Sequence, residues 1–99
     1  MLNSKQRAAL KSMASRMDAI FQIGKGGINE NMCVAISSAL EARELIKISV
    51  LDNSSEDVKQ AANDIAAITD AELVAVIGRK IILFKQAEKE ENRRISLEI

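Results

Sequence analysis

Proline is absent from this chain of 99 residues, and three of its four glycines crowd into Gly24-Lys25-Gly26-Gly27. Regular structure can therefore run almost unbroken, with one place where the backbone is free to bend sharply. Around that place the sequence reads as strand end, glycine loop and helix start. Asp18 to Ile23 alternates as a strand does, with Ala19, Phe21 and Ile23 on one side. Asn29 suits the N-cap of a helix running from about Glu30. Glycines in the loop allow positive φ and remove the side chains that would hold a ligand away. The unpaired N–H groups and the positive dipole end of the next helix lie just beyond, and Lys25 adds a full charge. Together these are the elements of an anion site, with phosphate as the natural occupant. Alone the motif is weak, because a glycine-rich turn is more often only a turn.

The remaining elements follow from apolar spacing. Ser4 can cap a first helix from about Lys5 to Met17, with Ala9, Leu10, Met13, Ala14 and Met17 on one face. Arg7 and Lys11 lie on the opposite face, flanked by Lys5 and Arg16, and no acid precedes Asp18 to pair with them. A second helix is predicted over 30–43, with Met32, Cys33, Ile36, Ala39 and Leu40 buried. Leu45 to Leu51 alternates as a second strand. Asp52-Asn53-Ser54 is a turn, and Ser54 can cap a third helix with Asp57 as a weak capping-box partner. Leu73–Ile77 and Lys80–Lys85 form a hairpin about Gly78-Arg79, where Gly in first place suits a type II′ turn. From Ala87 onward the charges read as a frayed helix or disordered tail with no function assigned. The expected fold class is α/β, two-layer, in the order α-β-α-β-α-β-β with a four-stranded mixed sheet. Residues 1–86 form the domain and 87–99 the tail.

Net charge is zero, yet the charges are segregated. Residues 1–27 carry +4, 28–77 carry −6, 78–85 carry +3 and the remainder −1. The basic segments include the glycine loop, and such segregation can steer a polyanion. No apolar run is long enough to span a bilayer, and the first residues lack a signal peptide's apolar core. One cysteine, Cys33, fits a reducing cytoplasm and a small core position.

Enzymatic readings find little support. There is no histidine to serve as general base or zinc ligand, no serine has a triad partner, and the carboxylates fall on helix exteriors (Glu56, Asp64) or turns. The P-loop pattern fails. The dinucleotide fingerprint is met by Gly24 and Gly26 but has Asn29 in third place, with Asp52 where a ribose-binding acid would stand. The only aromatics, Phe21 and Phe84, are expected in the core, so nucleic acid would be held by amides and cations on phosphates, with steep salt dependence.

Four stretches at consistent spacing carry a family resemblance. They are Ser4-Lys5-Gln6-Arg7, the 22–27 loop, the 39–47 stretch into the second strand, and Ile77-Gly78-Arg79-Lys80 with the apolar run to Lys85. From about Leu2 to Lys85 the chain resembles the CRM domain, an RNA-binding module, and in particular the bacterial YhbY-like proteins linked to maturation of the large ribosomal subunit. The resemblance implies a fold similar to the C-terminal domain of translation initiation factor three. It also implies that the GxxG loop, here Gly24 to Gly27 with an extra glycine at Gly26, contacts RNA.

The expectation is a non-catalytic, cytoplasmic, monomeric protein, without cofactor or metal, that binds ribosomal RNA of the large-subunit precursor. Gly24, Lys25, Gly26 and Gly27 would hold a phosphate, and Arg7, Lys11, Arg16, Arg79 and Lys80 would extend the contact. The alternative is a protein-interaction module whose acidic middle segment, through Glu41, Glu44 and Asp64, docks a basic ribosomal partner.

Overall fold

A computed structural model describes residues 2–52 and 57–99. Its elements are α1 (Ser4–Ala14), β1 (Phe21–Ile23), α2 (Glu30–Arg43), β2 (Leu45–Val50), α3 (Val58–Thr69), β3 (Glu72–Ile77) and β4 (Lys80–Phe84). Two 3-10 turns, Glu90–Asn92 and Ile95–Leu97, follow. The four strands stand in the order β1-β2-β4-β3. β1 and β2 are parallel, and β4 runs antiparallel to both of its neighbours. The third helix carries the chain to the far edge, and the hairpin then returns β4 into the middle. The α/β class and the four-stranded mixed sheet are as expected.

Strand alternation divides the core in two. Ile23, Ile46, Ile48, Val50, Ile81 and Leu83 point toward α2 and α3, where Ile36, Leu40, Ala61, Ala62 and Ile65 meet them. Leu45, Ile82, Phe84 and Val74 point the other way, toward Leu10 and Ala14 of α1. The expected helical layer on the sheet is thus α2 with α3, while α1 and the C-terminal segment cover much of the second face. β4 is apolar on both sides from Ile81 to Phe84 because both sides are buried there, whereas β2 turns Lys47 and Ser49 to the α1 side.

Helix ends show where side chains and tertiary contacts overrule periodicity. α1 is capped by Asn3, not Ser4: Gln6 N donates to Asn3 Oδ1 at 2.7 Å, and Asn3 N donates to Gln6 Oε1 at 3.0 Å. It ends at Ala14, short of Met17, where Lys47 Nζ donates to the carbonyls of Ala14 (3.0 Å) and Met17 (3.1 Å). α2 has its expected bounds, with Met32 N donating to Asn29 Oδ1 at 2.8 Å. At α3 the proposed Ser54 cap, and Glu56 with it, lie outside the described residues. Asp57 holds the N-cap position without a side-chain cap bond. At the hairpin Gly78 has φ 58° while Arg79 stays at negative φ, as a type II′ turn requires.

The expectation of a frayed or disordered tail is not met. α2 terminates at Glu44, a non-glycine residue at φ 66°, where glycine is the usual choice. Its side chain is fully buried. One carboxylate oxygen accepts from Arg94 N (2.8 Å) and Ser96 N (3.0 Å), the other from Ala87 N (2.8 Å) and Ser96 Oγ (2.7 Å). Glu41, one turn earlier, accepts from the amides of Glu88 (2.7 Å) and Lys89 (3.2 Å) and from Asn92 Nδ2 (2.9 Å). Ile95 and Ile99 then pack with Leu2 on the α1-side core. Charge density hid this segment at the sequence level. The only signal for it was the apolar pair Ile95 and Ile99, spaced i, i+4.

Burial alone would raise the Glu44 pKa, but its four donors outweigh that and hold it down at about 2, against an ordinary 4.5. A depressed carboxylate stabilises the fold fully above its unfolded value and loses that contribution as pH falls through the folded one. The contribution at neutral pH is on the order of 3 kcal/mol. Acid titration followed by thermal melting should show stability falling between about pH 4.5 and 2. Glu44→Gln should remove most of that dependence and cost about 2–4 kcal/mol, since an amide NH2 would face main-chain donors. Faster hydrogen exchange at the Ala87 and Ser96 amides should accompany it.

Candidate functional site

The loop springs from the end of β1, beside the end of β2: Leu51 N donates to Ile23 O at 2.8 Å. Gly27 N closes a turn onto Gly24 O at 3.0 Å. Lys25 and Gly26, at the tip of the turn, are exposed. Their amides donate to no described residue. Past the loop, Asn29 caps Met32 N, which leaves the first two amides of α2 directed outward. Glu30 in the first turn offsets part of the helix dipole.

Only one glycine of the loop is demanded by backbone geometry. Gly27 has φ 68°. The conformations of Gly24 and Gly26 are open to any L residue. A Cβ at Gly24 would meet Leu51 Cδ1 at 3.8 Å, an ordinary contact, and one at Gly26 would meet nothing within 4 Å. Of the three glycines that allow positive φ, one uses it. Two of them are bare where the fold has room for a side chain, and this leaves their amides open to close approach.

Of the five cations expected to extend the loop, the structure brings two to its end of the sheet. Arg79 lies at the hairpin tip, next to the end of β2. Its Nε donates to Val50 O at 2.8 Å and Nη2 to Leu51 O at 2.7 Å, with Asp52 Oδ1 3.3 Å from Nε. Much of its donor capacity is spent on holding the chain just past β2. Lys80 is exposed and donates to Ser49 Oγ at 2.9 Å.

Arg16 is exposed in the turn after α1, where the chain heads back to β1. Lys11 is exposed and shares a shallow cleft with Arg7, Val74 and Ala75, over the β3 edge. Arg7 is remote from the loop. Its guanidinium donates to the carbonyls of Leu73 and Val74, the latter at 3.1 Å. Leu73 lies level with Ile46, whereas the loop leaves level with Val50, about 13 Å further along the strand and three strands across. Arg7 thus anchors α1 to β3, which corrects its grouping with the loop.

Two other expectations change. Glu44 is buried and Glu41 is bonded to the tail, so neither presents a carboxylate for a basic partner as the acidic-segment reading required. Asp64 remains exposed on α3. The near-fit to a dinucleotide site also fails in three dimensions. The sheet contains one parallel pair, and Asp52 is engaged by Arg79. Sequence reasoning passed over Gln22, Ser49 and Lys47. All three sit at alternate strand positions where an apolar residue was not required, and that polarity was the available signal.

Among the described residues no helix is long and apolar enough to cross a membrane, and no three His, Cys, Asp or Glu side chains converge as metal ligands.

Comparison with known proteins agrees with this architecture. Residues 2–85 match the CRS1 / YhbY (CRM) domain family. The chain is 47% identical over 97 residues to the Probable RNA-binding protein YqeI of Bacillus subtilis, covering 98% of this chain and 99% of that protein. It is 31% identical over 88 residues to an RNA-binding protein of Haemophilus influenzae, covering 89% of each. The solution structure of the hypothetical protein SAV1595 from Staphylococcus aureus superposes with a TM-score of 0.77 at 46% identity, over 95% of this chain and 98% of that one. With the family match spanning the whole sheet and all three helices, the chain belongs to the CRS1 / YhbY (CRM) domain family.

Proposed function

We propose that this protein binds RNA without catalysing a reaction, gripping a phosphate of the sugar-phosphate chain with the loop Gly24 to Gly27. The observation that carries this reading is the pair of bare positions, Gly24 and Gly26, which the fold leaves room to fill. A phosphate oxygen can come within hydrogen-bond distance of the Lys25 and Gly26 amides because no Cβ stands at either glycine. Lys25, exposed at the tip, supplies the neutralising charge. The names of the relatives in Bacillus subtilis and Haemophilus influenzae support RNA as the ligand. In the further reading, the RNA is ribosomal, from the large-subunit precursor, and the protein acts as a cytoplasmic monomer in assembly of that subunit. The resemblance to YhbY-like proteins supports this part. Lys80, Arg16 and Lys11 remain as accessory cations, while Arg7 serves the fold.

Three substitutions separate these roles. Lys25→Glu should lower RNA affinity by at least tenfold at moderate salt, reduce the salt slope by about one, and leave the melting temperature unchanged. Filter binding across a salt series measures both quantities. Arg7→Gln should do the reverse: RNA affinity holds, while stability drops by about 1–2 kcal/mol as two β3 carbonyls lose a charged donor. Gly26→Ala should leave stability equal or raise it by about 0.4–1 kcal/mol, because the backbone accepts alanine there. It should nonetheless weaken RNA binding. A variant that melts no lower and binds less well marks a position kept bare for a ligand.

A further inference from the structure

The face of the sheet that α1 covers is not covered to its end. Lys47 Nζ grips the last carbonyls of α1, and the helix stops over that row of the sheet. The next row toward the loop runs Gln22 (β1), Ser49 (β2), Lys80 (β4) and Ile77 (β3), all paired in register. Residues paired across strands point to the same face, and Ser49 is flanked by Ile48 and Val50, which point into the α2/α3 core. The row therefore lies on the α1 side, past the helix. Gln22 and Lys80 are exposed, and Ser49 is 6% exposed with its Oγ fixed by Lys80 Nζ at 2.9 Å. Large apolar side chains stand near the polar groups: Ile77 at 47% exposure within the row, and Ile20 at 38%, two residues before Gln22.

We infer that this row is a second RNA contact, which takes an unpaired nucleotide next to the phosphate held by the loop. The inference rests on the proposed phosphate site at Lys25 and deepens it by naming the class of RNA. Gln22 precedes the loop by two residues at the end of β1, within reach of a nucleotide whose phosphate sits on Gly24 to Gly27. Gln22 to Lys80 spans three strands, about 10 Å, the scale of one base and its sugar. The Gln22 amide both donates and accepts, which suits a base edge and is not needed for a phosphate. Ile20 and Ile77 offer apolar contact to a base face, which a paired and stacked base does not expose. Lys80, oriented by Ser49, takes the following phosphate.

The test uses fluorescence anisotropy with a short labelled RNA of mixed, unpaired sequence, and with the same strand fully paired to its complement. Gln22→Ala should bind the unpaired strand about tenfold more weakly, with an unchanged salt slope because no ion is displaced, and should bind the duplex as wild type does. Gln22 is exposed, so the melting temperature should not move. Lys80→Gln should weaken the unpaired strand and lower the salt slope by about one. Wild-type affinity of Gln22→Ala for the unpaired strand overturns the inference while the loop reading stands, provided Lys25→Glu still weakens binding. Equal losses on both RNAs also overturn it, since the contact would then be to backbone alone. If Lys25→Glu binds as wild type, the loop reading fails, and Gln22→Ala judges the row by itself.

Discussion

Main-chain groups, rather than opposite charges, satisfy most of the interior charge in this fold. Glu44 is the extreme case: a buried carboxylate, on a residue in a backbone conformation that glycine normally takes, accepts three amides and a hydroxyl from the C-terminal segment. Its own carbonyl accepts from Lys85 N at 2.9 Å, just past β4. The end of α2, the start of β2, the end of β4 and the tail therefore meet at one residue. All four donors to the Glu44 carboxylate come from this tail, so removing it would strip the carboxylate of every one of them. The segment is consequently part of the folded unit, despite a composition that suggests solvent.

The cations follow the same rule. Arg7 holds carbonyls of β3, Lys47 holds those ending α1, and Arg79 holds Val50 and Leu51. Each stands where an element ends or an edge strand leaves carbonyls unpaired. The consequence for function is one of subtraction. A count of basic residues overstates the field offered to an anion, because the long side chains nearest the backbone are already spent. Among the cations first grouped with the loop, those left outward are Lys25 at its tip and Lys80 at the same end of the sheet, with Arg16 and Lys11 on the helix side. In the proposed phosphate site, close backbone approach at the two bare loop positions would add to what these cations supply.

Legibility varied with how local the controlling interaction is. The bounds of α2 could be read directly, because Asn29 caps within one turn and the apolar stripe keeps its period. The hairpin could be read because Gly78-Arg79 has a backbone requirement that few residues meet. The end of α1 could not, since a lysine 33 residues away terminates it. The first cap was misplaced by one residue, from Ser4 to Asn3, because both types serve and only the reciprocal bond with Gln6 separates them. At the candidate site, the glycine turn and the exposed place of Lys25 within it could be read from the glycine spacing. The roles of Arg7 and Glu44 were hidden, because a charged side chain looks the same in sequence whether it faces water or a carbonyl.

From its residues alone, the chain determined where its backbone could bend, which faces were apolar, and that a glycine-rich turn would join a strand to a helix. These are properties of neighbours within a few positions, set by sterics and periodicity. Tertiary structure decided that β4 enters between β2 and β3, that the charged end docks on Glu44, and that Gln22 and Lys80 stand exposed on either side of Ser49. Those outcomes depend on pairing across tens of residues, where the free energy comes from burying whole faces and satisfying main-chain groups, and no local pattern encodes which partner will arrive.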